Sequence, residues 1–182
     1  MNYICVFCSA QDLDEKYVRP AKEFSRLLAQ HGYGLVWGGS DTGLMKIVAD
    51  TVQEHKGRLV GISVDVLKHV ARDNADEMII TKDLGERKSV MRQRADAFVV
   101  LIGGTGTVDE LSEIIEEKIL GFHKKPVIIL NTDHFYDGLF SQYKRMKDEG
   151  FLKEDLKNVF TVCETPHEVI QCLDNIFSPQ KA

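Results

Sequence analysis

The sequence predicts an α/β fold, a single-domain, doubly wound (Rossmann-like) and mostly parallel sheet with helices on both faces. Three observations lead there. Short β-branched runs alternate with amphipathic segments along the chain, the pattern of parallel strands joined by helical crossovers. One run, Val99-Val100-Leu101-Ile102, is apolar without interruption, as befits a strand covered on both faces. A glycine-rich turn then joins that run directly to a helix, where open parallel sheets usually hold their ligands.

In chain order, strands are expected over residues 3–8, 34–37, 58–62, 78–81, 97–102, 127–130 and 159–162. Helices are expected over 17–30, 43–54, 83–94, 108–120, 136–149 and 166–177. In the first helix Phe24, Leu27 and Leu28 recur at helical spacing. Pro166 stands at the start of the last, where its missing N–H costs little. The run ending at Ile102 reads as a central strand. No repeat, low-complexity tract or linker interrupts the pattern, so residues 1–177 form one expected domain and 178–182 a loose tail.

Composition narrows the function. The chain has 182 residues, 43% of them hydrophobic, and a formal net charge of −5. That charge argues against nucleic acid as a partner, whose phosphates are bound by clustered Lys and Arg. No apolar run reaches the roughly 18 residues of a spanning helix, and the first residues lack the flanks of a signal peptide. A cytoplasmic protein without membrane contact is the expectation. Four cysteines do not suggest a disulfide framework. Cys5 and Cys8 have redox or zinc spacing, but positions three apart on a strand point to opposite faces, which favours a structural role. The six histidines are scattered, none paired at i, i+4 beside a carboxylate, so no metal is expected.

The strongest chemical signal is Gly103-Gly104-Thr105-Gly106-Thr107, between the buried strand and the helix expected from Val108. Glycines allow close approach of the backbone, and a helix start offers unpaired N–H donors with partial positive charge, so phosphate is the natural guest. No Lys follows the last glycine as in a nucleoside-triphosphate loop. Counted from Gly104, the third glycine of a dinucleotide fingerprint falls on Asp109. A second loop, from Gly38 and Gly39 to Thr42 and Gly43, opens another helix and is read as supporting, with Asp41 or Thr42 able to act only as a cap.

Glu110 lies one turn into the helix after the phosphate loop, within reach of a sugar whose phosphate sits at Thr107. Thr107-Val108-Asp109-Glu110 also has the T-x-x-E form of a capping box, and spacing alone leaves both roles open. Glu113 shares a face with Glu110 and is a second candidate carboxylate. Arg87 reads either as a clamp on nucleotide oxygens or as a surface partner of Glu86 or Asp83.

Taken together these segments resemble the Lonely Guy family, long labelled possible lysine decarboxylases. Cys5-Val6-Phe7-Cys8-Ser9 is similar to the family's first strand and loop, and Gly34-Leu35-Val36-Trp37-Gly38-Gly39 with Thr42-Gly43-Leu44-Met45 to its second. Leu84-Gly85-Glu86-Arg87-Lys88 matches M-x-x-R-K except at its first position. The stretch from Gly103 to Glu110 matches P-G-G-x-G-T-x-x-E except that Ile102 replaces Pro.

The resemblance implies that Arg87 and Glu110 are catalytic and that Lys88, Gly103, Gly104, Thr105, Gly106, Thr107 and Asp109, with Gly39 and Ser9, bind the nucleotide. It implies a homodimer or larger assembly that hydrolyses the N-glycosidic bond of cytokinin riboside 5′-monophosphates or AMP. No cofactor is required. The alternative from another class is a carrier that holds a nucleotide-like or pterin-like phosphate on the same loops without cleaving it.

Overall fold

The computed structural model describes residues 1–153 and 156–178. Seven strands form one sheet in the order β4-β3-β2-β1-β5-β6-β7, with every neighbouring pair parallel. They are β1 (Tyr3–Phe7), β2 (Gly34–Trp37), β3 (Leu59–Val64), β4 (Glu77–Thr81), β5 (Ala97–Val100), β6 (Val127–Leu130) and β7 (Thr161–Cys163). Six α-helices accompany them, five between strands and one after β7: α1 (Glu15–Gln30), α2 (Gly43–Glu54), α3 (Leu84–Arg94), α4 (Thr105–Ile119), α5 (Asp137–Asp148) and α6 (Pro166–Phe177). Among the described residues no helix is long and apolar enough to cross a membrane.

The strand side chains divide by parity into two cores, as pleating requires. Ile4, Val6 and Cys8 join the apolar faces of α1, α2 and α6, including Phe24, Leu28 and Val169. Cys5, Phe7 and Phe98 join Met91 of α3, Leu111 and Ile114 of α4, and Phe140 of α5 on the other side. Cys5 and Cys8 therefore lie on opposite faces, and both are free thiols. β1 is the middle strand and β5 its neighbour, so the uninterrupted apolar run is interior, as expected.

β2, α2, β6 and α6 have the expected bounds, and the other boundaries shift by at most three residues. Asp14 and Asp83 cap α1 and α3 with their side chains, accepting from Lys16 N and Glu86 N, so α1 starts two residues early and α3 one residue late. β7 begins at Thr161 because a 3₁₀ turn, Leu156–Asn158, occupies the segment before it. Residues 65–70, unassigned from sequence, form another 3₁₀ turn after β3. The largest shift matters most: α4 starts at Thr105, three residues before Val108, with Gly104 extended as its N-cap. Of the expected tail, only Ser178 lies among the described residues, where it caps α6.

Topology positions the site. From β1 the sheet grows through β2 on one side and β5 on the other, so the loops after β1 and β5 diverge and leave a crevice at the strands' carboxyl ends. The Ser9 amide donates to Ile102 O at 3.0 Å, tying the two loops together at the crevice floor.

Candidate active site

A cleft of about 530 Å³ opens over this crevice and is lined by Ser9, Gly38, Arg87, Thr107 and Glu110, among others. That volume suits a small organic ligand. Both glycine loops reach it, but their helices differ in what they have left to offer. At α2, Leu44 N donates to Gln11 O and Met45 N to Ser9 O, both at 3.1 Å. Gly43 makes this docking feasible: its φ is +54°, and any Cβ there would collide with the Ala10 backbone. Two first-turn donors of α2 are thus taken up by the 9–11 loop. At α4 the first N–H groups have no intrahelical acceptor, no side chain caps them, and Gly104, Thr105, Gly106 and Thr107 all line the cleft. The open start of α4 can therefore hold an anion.

The early start of α4 also removes the capping role open to Glu110. Thr107 is the third residue of the helix, not its cap, so no T-x-x-E capping box forms. The box in this chain is Thr165 with Glu168 on α6. Glu110 Oε1 instead accepts from Arg87 Nη1 at 2.9 Å, with 6% and 8% of the two residues exposed. Arg87 spans the cleft floor from α3, donating its Nε to Ile62 O of β3 at 2.9 Å. It passes so close to Gly38 that a Cβ there would overlap its Nη2. The surface-pair alternative for Arg87 is excluded by its burial, and Glu86 turns away to accept from Lys82 N.

Burial pushes the Glu110 carboxyl above its ordinary range, and the Arg87 guanidinium draws it only part of the way back. Cys8 also lines the cleft, but burial, with Glu110 beside it, pushes its thiol well up, which removes it as a nucleophile. Among the described residues the cleft lining thus holds one carboxylate and one fixed cation, a turn of helix beyond the open start of α4.

Arg87, Glu110, Ser9, Gly104, Thr105, Gly106 and Thr107 come together on this lining. Gly103, Gly39, Lys88, Asp109 and Glu113 lie outside it. Gly103 packs under Thr107, whose side chain occupies the space of a Cβ. Gly39, at φ +74°, presents its carbonyl to Arg72 N at 2.9 Å. Lys88 turns to the outer face of α4, pairing with Glu113 and with Asp109 at 3.0 Å, and these contacts raise its pKa. The lining also contains Gln11, Ser40, Met45, Leu67 and His69, which sequence reasoning missed.

The family model described as "Possible lysine decarboxylase" matches residues 45–173. A cytokinin riboside 5′-monophosphate phosphoribohydrolase of Oryza sativa subsp. japonica, LOG, is 36% identical over 174 residues, covering 94% of this chain and 72% of that protein. Another of that name from Mycobacterium marinum is 32% identical over 170 residues, covering 92% and 91%. Among solved structures, the molybdenum cofactor binding protein from Rippkaea orientalis superposes with a TM-score of 0.74 at 22% identity, covering 97% of this chain and 98% of that one. That likeness shows the fold alone. With its two motifs converging on one cleft and these relatives matching nearly its whole length, the chain belongs to the Lonely Guy family, whose model bears the lysine decarboxylase description.

Proposed function

We propose that this protein is a phosphoribohydrolase that cleaves the N-glycosidic bond of a purine nucleoside 5′-monophosphate, cytokinin riboside monophosphate or AMP, to free base and ribose 5-phosphate. The observation that carries this reading is the buried Arg87–Glu110 pair beside the open start of α4. With phosphate on the α4 donors, the ribose lies one helical turn further in, beside Glu110. Departure of the base gives the ribose oxocarbenium character, which an adjacent carboxylate stabilises while it orients and deprotonates water. Arg87 holds that carboxylate in place and anchors the nucleotide.

The test is incubation with AMP, GMP and N6-prenylated AMP, scored for free base and ribose 5-phosphate in equal amounts. Nucleotides that bind and are recovered intact would identify a carrier instead. Adenosine should be cleaved with kcat/KM at least about a hundredfold below AMP, since it forgoes two or more charge-assisted hydrogen bonds of about 1.5–3 kcal/mol each. Comparable values for the two would remove phosphate from the start of α4.

The family reading also proposes a homodimer. Ile114 and Ile115 of α4 are buried in the protein's own core. Leu120 and Phe122, 61% and 73% exposed just past α4, remain for a partner. Light scattering at micromolar concentration should give twice the chain mass, and a monomer throughout would refute the dimer.

A further inference from the structure

A nucleotide with its phosphate on α4 and its ribose beside Glu110 directs its base away from β5, toward the carboxyl ends of β2 and β3. Three strand spacings of about 4.8 Å separate β5 from β3, so an occupant held at one side meets the other with its far end. That far wall is the 3₁₀ turn Asp65–Val70, which contributes Leu67, His69 and Val70 to the lining.

The wall is fastened in place. Asp41 N donates to Val70 O at 2.8 Å, Arg72 N donates to Gly39 O at 2.9 Å, and Ser40 and Ala71 form an antiparallel bridge between them. The Arg72 guanidinium, 6% exposed, then binds Asp41 at 2.8 Å and Asp50 at 2.7 Å. The backbone of His69 is thereby held at the cleft rim next to a three-residue clamp, with its side chain exposed. Its imidazole makes no hydrogen bond or ion pair with any described residue, and it is the one imidazole among the described lining residues.

The chemistry leaves a role unfilled. When the C1′–N9 bond breaks, its electron pair stays on the purine, and a purine leaves more readily as a neutral molecule than as an anion. Glu110 is engaged in taking a proton from water. The Arg87 guanidinium does not give up a proton in proteins, and its Nε and Nη1 are committed to Ile62 and Glu110. Histidine is the side chain most often used for such a transfer.

We propose that His69 is the acid that protonates the leaving base at N7, a role that rests on the phosphoribohydrolase reading above. In this step the C1′–N9 bond breaks and a water oxygen bonds to C1′. The water's proton passes to Glu110 and the His69 proton to N7, and proton exchange with solvent restores both residues. Base and ribose 5-phosphate are the only products.

The experiment compares wild type and His69→Gln on AMP and on N7-methylated AMP, whose base departs neutral without being protonated. His69→Gln should lower kcat on AMP about a hundredfold or more, with KM little changed and unaltered thermal unfolding, while kcat on the methylated nucleotide stays within a fewfold of wild type. Equal losses on both substrates would make His69 a binding or structural residue and overturn the proposal. So would an unchanged kcat on AMP. Absence of base release by the wild type from either nucleotide would instead defeat the underlying hydrolase reading.

Discussion

Replacing Glu110 by glutamine should lower kcat on AMP at least about a hundredfold, the lower range for a lost general base, while the protein stays folded and still binds nucleotide. Glutamine keeps the side chain's shape and an oxygen for Arg87 Nη1, which Glu110 now satisfies at 2.9 Å. What it loses is the anion, and with it both the stabilisation of oxocarbenium charge and the acceptor for a water proton. The phosphate donors of α4 are untouched. The wild-type pH profile provides a linked reading. Glu110 must be ionised to act and burial raises its pKa, so the acid fall in rate should lie above the usual carboxylate range. For stability the sign is opposite: a carboxyl with a raised folded pKa contributes below its unfolded pKa, and that contribution is lost as pH rises through the folded value. Near-wild-type kcat in a folded Glu110→Gln enzyme would defeat the mechanism, with Glu113 the next carboxylate to examine.

Arg87→Ala should do broader damage. It removes the bond to Ile62 O, the support under Glu110 and the only fixed cation among the described lining residues of the cleft. A carboxylate left buried without its partner costs about 3–5 kcal/mol, so the melting temperature falls along with kcat/KM. Part of that cost is avoided when Glu110 takes up a proton, which moves the acid limb of the pH–rate profile to higher pH. Arg87→Lys should not rescue, because a point ammonium cannot reach two acceptors held by a planar fork. An unmoved acid limb in Arg87→Ala would show that the pair is not coupled in solution.

The strands were legible because each is a compact β-branched run, and parity along residues 3–8 correctly separated Cys5 from Cys8. The start of α4 was not, since Thr105, Gly106 and Thr107 are poor helix formers that the fold nonetheless winds into a first turn facing the cleft. The six residues 65–70 make too short a turn to show periodicity, and His69 was hidden with them. The motif Arg87-Lys88 reads as one basic unit. Successive helical residues point about 100° apart, and the fold sends Arg87 inward and Lys88 out to Asp109 and Glu113. Glu110 could not be assigned from spacing because the deciding partner lies 23 residues away.

The pairing of β1 with β5 sets Ile4 beside Ala97, and that separation along the chain has a consequence for biosynthesis. A nascent chain that has emerged only through β4 can assemble β4-β3-β2-β1, but β1 then ends the sheet with a bare, apolar edge. Such an edge invites pairing with other chains. Closing it requires the strand pairing of greatest sequence separation in the sheet, Ile4 with Ala97, and long-range parallel pairing is intrinsically slow. The same event brings Ile102 to Ser9 and delivers α4 to the cleft. Covering of the β1 edge and delivery of α4 to the cleft are therefore one event, after which β6 and β7 close the new edge at β5, and a truncation that keeps only the first four strands forfeits both.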